Sequence, residues 1–258
     1  MGAGDSPARA CVMSIARGSM KITMIGHSTV LIEAAGKRIL TDPYFGLRGN
    51  PAYARVRPPA RSREELTDVD LVLISHNHWD HADRKFLRML PPSAPVFAPA
   101  ASAWMTRLKG GRNVTGLKPW QRREFDGFSV TAVPAWHITF TIGYVLEAES
   151  QRIYFAGDTY VAGFMQRIAR ELRPDVALIP VTTFRIPMTM GESQAVEAVR
   201  RLAPQFVIPI HLGISPRSPL LRTSQTAESF RERVRQAGLN AQVAILREGE
   251  SWSPAPKI

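Results

Sequence analysis

The most constraining feature of the sequence is a seven-residue window, Ser75-His76-Asn77-His78-Trp79-Asp80-His81, that holds three histidines and an aspartate. The window directly follows residues 70–75, a continuous apolar run typical of a strand that is buried on both faces. Burying so many titratable groups without a cation costs free energy, so an accidental gathering of histidines is a poor explanation. The window therefore predicts a metal site.

Further histidines and an aspartate follow other predicted strands. His137 comes after the strand at 128–134, Asp158 after the strand at 152–156 and His211 after the strand at 206–210. Strand ends at one rim of a sheet are where side chains from distant parts of a chain converge. We therefore expect these three groups to meet the 75–81 window.

Spacing divides the groups between two ions. In an extended loop, residues two apart point the same way, so His76 and His78 can bind one ion while Asp80 and His81 reach a second. Two ions roughly 3.5 to 4 Å apart need a bridging carboxylate, and Asp158 is the best-placed one. Nitrogen and oxygen ligands without thiolate suit zinc first, with manganese and iron as alternatives. The two predicted ligand sets are His76, His78 and His137 for one ion, and Asp80, His81 and His211 for the other.

Four further residues are candidates for contact with a substrate. His27 is an isolated histidine at the start of a hairpin, and it either lines the cavity or satisfies a turn. Arg185 follows the strand at 175–181 and is placed to hold an anionic group, although a solvated loop arginine is the simpler explanation. Trp79 and Trp136 adjoin predicted ligands.

The whole chain after residue 20 alternates β-branched runs with helical patterns, without a linker or a tandem repeat. Antiparallel strands open each half and αβ units close it, so we expect an α/β fold in which two mixed β-sheets pack together and are flanked by helices. We assign residues 20–258 to this single domain and residues 1–19 to a disordered or loosely packed leader. The predicted strands are 21–26, 28–36, 37–42, 70–75, 128–134, 142–148, 152–156, 175–181, 206–210 and 241–246, and the predicted helices are 83–90, 100–108, 161–172, 191–202 and 224–237.

Composition limits the class of protein. With 258 residues of which 45% are hydrophobic, the chain can bury a sizeable core, which excludes disorder. The single cysteine, Cys11, excludes an intrachain disulfide and zinc fingers built on CxxC pairs, and it fits a reducing cytoplasm. The sequence has no apolar run of the roughly 18 to 20 residues that a membrane helix needs and no signal-peptide pattern. We therefore expect a cytoplasmic protein.

The formal net charge of +11 would suit an anionic partner, but the basic residues are spread along the chain, as on a solubilising surface. We therefore expect a small-molecule substrate and no specific nucleic acid. The segment 43–66 is too rich in Pro, Gly and Arg to form core structure of its own, so we expect a lid or binding loop that favours anionic substrates, with a mobile surface loop as the alternative. Its aromatic and arginine side chains could also contact an anionic membrane surface. The sequence does not decide between a monomer and an oligomer.

The spaced motifs HxHxDH at 76–81, His137, Gly157-Asp158-Thr159 and Pro209-Ile210-His211 together resemble the metallo-β-lactamase superfamily. GHSTVLIE at 26–33 and LTDPYF at 40–45 are similar to the branch that contains ascorbate-phosphate lactonases and N-acyl-phosphatidylethanolamine phospholipase D. The resemblance implies an αββα sandwich with two metals at the rim, the same ligands, and Asp42 as a buried carboxylate behind the site. Flavodiiron-type members carry a glutamate where this chain has His78, which favours hydrolysis over a redox role.

Metal-assisted hydrolysis fits these features. Water or hydroxide held between two dications would attack an ester, lactone, amide or phosphoester bond of a small anionic substrate, with Asp80 and His211 as the catalytic residues. The sequence has no GxSxG nucleophile motif, which agrees. A phosphodiesterase acting on phospholipid or nucleic acid is the alternative function. A non-catalytic binding protein ranks third, because all the metal ligands are present.

Overall fold

The computed structural model describes residues 20–254, so the leader predicted for 1–19 and residues 255–258 lie outside it. Its α-helices are α1 Arg84–Met89, α2 Ala103–Lys109, α3 Phe164–Glu171, α4 Glu192–Leu202 and α5 Ala227–Gln236. Its strands are β1 Lys21–Gly26, β2 Thr29–Ala34, β3 Lys37–Thr41, β4 Tyr53–Arg55, β5 Leu71–Leu73, β6 Pro95–Pro99, β7 Asn113–Leu117, β8 Arg122–Phe125, β9 Phe128–Pro134, β10 Ile142–Ala148, β11 Gln151–Phe155, β12 Val176–Pro180, β13 Phe206–Ile210, β14 Ile214–Pro216, β15 Gln242–Val243 and β16 Ser251–Trp252.

Two mixed sheets of seven strands each form the centre of the described chain. The first has the order β16-β1-β2-β3-β5-β6-β7, in which β1, β2 and β3 are antiparallel and β3, β5, β6 and β7 are parallel. The second has the order β15-β13-β12-β11-β10-β9-β8, antiparallel from β8 to β11 and parallel beyond. Each half of the chain therefore follows the same plan, a meander followed by parallel strands.

Three apolar cores define the layers. The central core joins inward-facing side chains of both sheets, such as Ile32 and Leu73 from the first and Leu146 and Leu178 from the second. A second core packs α1 and α2 on the outer face of the first sheet, and a third packs α3, α4 and α5 on the outer face of the second. The expected αββα sandwich is confirmed. Across residues 20–254, no helix is long and apolar enough to cross a membrane.

The strands β4, β6, β7, β8, β14 and β16 were not expected from the sequence. β6 begins and ends at prolines, which normally argue against a strand inside a sheet. β7 contains Gly116, where a Cβ atom would lie 2.9 Å from the Cα of Ala100, so a close approach of two backbones requires glycine there. The remaining four strands are two to four residues long, too short for an alternating pattern to be recognised.

The segment 43–66 is more ordered than a mobile loop. Tyr44 and Phe45 are buried, and so is Leu66. Within the segment, β4 pairs antiparallel with β14 and forms a separate two-stranded sheet. The expectation that this segment forms no core structure is therefore wrong, because its aromatic and leucine side chains pack under the arginine-rich surface.

Candidate metal centre

The histidines and aspartates singled out in the sequence lie at one rim, where strands of both sheets end. The 76–81 loop follows β5 of the first sheet, and Asp42 directly follows the neighbouring strand β3. In the second sheet, His137 follows β9, Asp158 follows β11 and His211 follows β13. The structure thus brings together side chains as far apart in the chain as Asp42 and His211.

The first predicted set forms a compact trio. Ligand atoms of His76, His78 and His137 all lie within 4.8 Å of one another. His137 Nε2 is 3.5 Å from His78 Nδ1. His76 is buried, whereas His78 and His137 are partly exposed, so this trio is the side of the cluster nearer to solvent.

The second predicted set is deeper. Ligand atoms of Asp80, His81 and His211, joined by His27, also lie within 4.8 Å of one another, and all four residues are buried. Asp158 Oδ2 lies 3.6 Å from His81 Nε2 and 3.3 Å from His211 Nε2. The other carboxylate oxygen of Asp158 makes no hydrogen bond among the described residues.

Neighbouring groups fix which ring nitrogen of two histidines faces the cluster. Asp42 Oδ2 lies 2.7 Å from His81 Nδ1 and accepts a hydrogen bond from the Ser75 hydroxyl at 2.5 Å. Because that hydroxyl proton is committed to Asp42, the Ser75 oxygen accepts from His76 Nδ1 at 2.9 Å. Nδ1 therefore carries a proton in both rings, and Nε2 is the ring atom that faces the cluster and can bind an ion. Asp42 lies behind the site, as the resemblance implied.

The rim contains several unpaired buried polar atoms. Nε2 of His27, His76 and His81, Nδ1 of His137 and Oδ1 of Asp158 make no hydrogen bond within residues 20–254. Leaving a buried polar atom unpaired costs about 1–3 kcal/mol, so several at one point need an explanation. The donor set, imidazole nitrogen and carboxylate oxygen without thiolate, fits divalent zinc, manganese or iron.

Protonation in the metal-free cluster differs between the two sets. Burial lowers the pKa of His76 and His78, and it lowers the pKa of His137 to about 4, so these rings are neutral at pH 7. Burial also acts on His81, but the carboxylates of Asp158, Asp80 and Asp42 outweigh it and raise its pKa to about 10. An ion in the second set must therefore displace a proton, whereas an ion in the first need not.

Lys109, which was not predicted from the sequence to belong to the site, binds the backbone of the loop that carries His76 to His81. Its Nζ donates to the carbonyl oxygens of Asn77, His78 and Ala82 at 2.7 to 3.3 Å. Burial lowers its pKa to about 8. In the sequence Lys109 is only a lysine near the end of a predicted helix. Its hydrogen-bond partners lie 27 to 32 residues earlier in the chain, and no local pattern indicates them.

A small pocket of about 50 Å³ opens onto the cluster. Its walls include Trp79, one of the predicted substrate contacts, and also Tyr53, Phe184, Met188 and Ile214, which were not among them. The side chains of Arg185 and Trp136 are exposed and do not line this pocket, so their role in substrate binding stays a prediction.

A larger cavity of about 860 Å³ adjoins this pocket and shares Phe184 and Ile214 with it. Its walls come from β14, the start of α5 and the segment before β16. Four arginines and two glutamates are among the lining residues, which are Arg57, Arg222, Arg231 and Arg247, and Glu228 and Glu250. The cavity therefore places an excess of positive charge beside the cluster.

Comparison with known proteins agrees with this architecture. Residues 21–211 match the family described as "Beta-lactamase superfamily domain". A UPF0173 metal-dependent hydrolase of Methanopyrus kandleri is 33% identical over 245 residues, covering 90% of this chain and 99% of the relative. A UPF0173 metal-dependent hydrolase of Pyrococcus horikoshii is 34% identical over 241 residues, covering 90% and 98%.

Solved structures show the same fold. Igni18, a metallo hydrolase from Ignicoccus hospitalis, superposes with a TM-score of 0.76 at 26% identity and covers 93% of this chain and all of its own. The isothiocyanate hydrolase from Delia radicum gut bacteria superposes with a TM-score of 0.76 at 21% identity, covering 91% of this chain and 99% of its own. The fold and the His/Asp cluster define a metal-dependent hydrolase of the metallo-β-lactamase superfamily. Within it, the chain belongs to the UPF0173 family.

Proposed function

We propose that this hydrolase uses two divalent ions, zinc first, to cleave an ester, lactone, amide or phosphoester bond of a small anionic substrate. The observation that carries the proposal is the convergence of unpaired ligand atoms from both sheets at one rim. Similarity of GHSTVLIE and LTDPYF to the lactonase and phospholipase branch supports this range of bonds.

Each ion would be held by side chains from both sheets. His76, His78 and His137 suit one ion, Asp80, His81 and His211 suit the other, and Asp158 lies where it can bridge. Ions bound in this way supply Lewis acidity, which activates water and stabilises negative charge that develops on oxygen.

The protein's own contribution is position and charge. Burial by itself raises the pKa of Asp80, but His81 and His27 outweigh burial and hold that pKa well below its ordinary value. Asp80 is therefore a carboxylate at neutral pH and can accept a hydrogen bond from the attacking water, which orients it. The pocket walls of Tyr53, Trp79 and Phe184 exclude bulk water around the scissile bond.

The adjoining cavity supports an anionic substrate. Arg231 and Arg247 line it, and no hydrogen bond or ion pair of their guanidinium groups is found within residues 20–254. A substrate that reaches past Phe184 and Ile214 would bring a carboxylate or phosphate to these groups, for which guanidinium is well suited.

A phosphodiesterase that acts on phospholipid at a membrane surface is the second candidate. It is favoured by the loop that carries His137, where Trp136, Ile138 and Phe140 are 62 to 65% exposed. Exposed apolar side chains at the rim of a pocket, on a chain with net charge +11, suit contact with an anionic lipid surface.

The test begins with elemental analysis of the purified protein and continues with a panel of lactones, esters and phosphodiesters, each with and without an anionic group. Asp80→Asn is expected to reduce turnover at least about a hundredfold, because it weakens the binding of one ion and removes the carboxylate that orients the attacking water. Asp68→Asn, at a side chain that is 71% exposed, is the matched control and should retain full activity. Full activity of a metal-free protein in strong chelator would contradict the proposal.

A further inference from the structure

His27 belongs to the deep part of the cluster but differs from its neighbours in what its ring contacts. Its side chain is fully buried, and its ring centroid lies 4.3 Å from that of His211 and 5.3 Å from that of His81. By proximity alone it would count as a fourth ligand beside Asp80, His81 and His211.

The backbone N–H of Gly213 determines which protonation state and tautomer the His27 ring can adopt. The Gly213 N–H donates to His27 Nδ1 at 3.2 Å, so Nδ1 must present a lone pair. Neither the imidazolium form nor the neutral form protonated at Nδ1 can accept this bond, because each has a hydrogen there. The remaining neutral form carries its proton on Nε2, the atom that faces the cluster.

This arrangement is the reverse of the one at His76 and His81. In those two rings Nδ1 donates to Ser75 or Asp42, and Nε2 is the atom available to an ion, in His81 once an ion displaces its proton. In His27, Nε2 carries a proton and lies 3.4 Å from Asp80 Oδ2; this contact lacks hydrogen-bond geometry, and Nε2 has no hydrogen-bond partner within residues 20–254. A protonated nitrogen cannot bind a cation, but it can donate toward a carboxylate.

The local backbone is built to keep this contact. His211 N–H donates to the His27 carbonyl oxygen at 3.0 Å, so backbone and ring of His27 together hold the 211–213 turn. A Cβ atom at position 213 would lie 2.6 Å from the Cβ of His27, so only glycine permits the approach. His27 and His211 both have positive φ, at 62° and 65°, a conformation that needs such support.

We infer that His27 is a positioning residue and not a metal ligand: its Nε2–H orients the Asp80 carboxylate, while its Nδ1 and carbonyl oxygen hold the turn that carries His211. The inference concerns the site of the two-ion centre proposed above and rests on that proposal only for its effect on metal affinity.

The direct test is the tautomer of His27. Long-range ¹H–¹⁵N spectra of the full-length, ¹⁵N-histidine-labelled protein, with and without zinc, distinguish a protonated ring nitrogen from an unprotonated one. We expect His27 to carry its proton on Nε2 in both states, with assignment by the nuclear Overhauser effect to the Gly213 amide proton. A proton on Nδ1 in either state would overturn the inference, whether or not the protein is a hydrolase.

Two variants supply an independent measurement. His27→Asn keeps an acceptor near the Nδ1 position, whereas His27→Gln keeps an amide donor near the Nε2 position. Both are expected to retain the zinc stoichiometry of the unaltered protein with affinity about 10- to 100-fold weaker, the range typical of groups that orient ligands. Gln should lose less affinity than Asn.

The matched comparison is His137→Gln, which should lose one ion outright. If both His27 variants fold, as judged by circular dichroism, and also lose one ion per chain, then His27 is a ligand and the inference is wrong. If the unaltered protein binds no zinc, the proposed function fails, while the tautomer still tests the inference.

Discussion

At the scale of single residues, the site depends on groups that bind no ion themselves. Asp42 accepts from the Ser75 amide at 2.6 Å and from the Ser75 hydroxyl, and it also orients the His81 ring. It is fully buried, so each of its contacts is formed away from water. Such partners fix ring orientation and increase the basicity of the ligand.

Asp42→Asn is therefore expected to weaken zinc binding about 10- to 100-fold, because an amide has one acceptor oxygen and cannot accept from the Ser75 amide, the Ser75 hydroxyl and the His81 ring together. Titration of the metal-free protein with zinc measures the effect. Asp70→Asn is the matched control, since Asp70 accepts from the Arg38 amide on the same sheet but is partly exposed and distant from the rim. Equal zinc affinity in the two variants would show that Asp42 does not support the site.

The two sets of ligands should respond differently to pH. In the metal-free protein the His81 pKa is raised to about 10, so at pH 7 His81 is protonated and zinc must displace that proton. Affinity at this site is expected to rise about tenfold per pH unit below pH 10. In the first set the pKa values of His76 and His78 are lowered and that of His137 is about 4, so this set should bind without proton release at pH 7.

Calorimetric titration in two buffers of different ionisation enthalpy counts the protons released. At pH 7 we expect about one proton for the ion at the second set and none for the ion at the first. Release of no proton at either step would mean that His81 is neutral before the metal binds.

The charged groups of the rim can be predicted from the sequence, but not all of their roles can. The 76–81 window and the residues after β9, β11 and β13 were identifiable because metal ligands have restricted chemistry and because strand ends meet at one rim. His27 remained ambiguous, since the group that fixes its ring is Gly213, 186 residues away. Lys109 was missed for the same reason.

At the scale of elements, the strand β4 matters more than its three residues suggest. Tyr53 stacks on Phe184 with ring centroids 5.1 Å apart and on Trp79 at 6.4 Å, so the three rings form one wall of the metal pocket. Pairing of β4 with β14 holds Tyr53 opposite Pro216. Tyr53 of the 43–66 segment thus lines the metal pocket, while the lid role of that segment stays a prediction.

Tyr53→Ala is expected to lower kcat/KM on the best substrate about tenfold, because aromatic pairs of this kind contribute about 0.5–1.5 kcal/mol each. Zinc content should stay unchanged, because Tyr53 is not one of the predicted metal ligands. Leu220→Ala, at a side chain that is 79% exposed, serves as control. Unchanged kinetics in Tyr53→Ala would exclude this wall from substrate binding.

Element boundaries followed from sequence where the pattern was long. β9, β10 and β13 match their predicted ranges, because each is a run of five to seven residues with a clear apolar pattern. The strand predicted at 241–246 is reduced to β15. There the chain leaves the sheet edge after two residues and continues along the 860 Å³ cavity, an outcome set by tertiary packing.

At the scale of the whole molecule, the net charge of +11 invites a nucleic-acid interpretation. Many of the arginines are engaged within the protein, such as Arg63 with Asp83 and Arg233 with Glu192. We therefore predict only non-specific binding to a random duplex or single strand, with Kd on the order of 10⁻⁴ to 10⁻⁶ M at physiological salt and steep weakening as salt rises. Fluorescence anisotropy across a salt series measures the Kd and its salt dependence. Affinity about a thousandfold higher for one nucleic-acid sequence or structure would favour a nuclease.

Metal binding should also stabilise the whole molecule, because each predicted ligand set joins the two sheets. His76 and His78 extend from the first sheet and His137 from the second, and the second set is divided in the same way. An ion bound only by the folded state stabilises it by about 4 kcal/mol when its concentration is a thousandfold above Kd. A chain of this size changes its Tm by about 2–4 °C per kcal/mol.

Removal of the ions with a chelator is therefore expected to lower Tm by roughly 10 °C or more, and zinc should restore it. Scanning calorimetry of protein whose metal content is known at each step provides the measurement. His137→Gln separates the two ions, because it should keep the stabilisation from the second set and lose that from the first. If Tm is unchanged after complete removal of metal, the rim does not join the sheets through its ions, and apolar packing between the sheets alone holds them together.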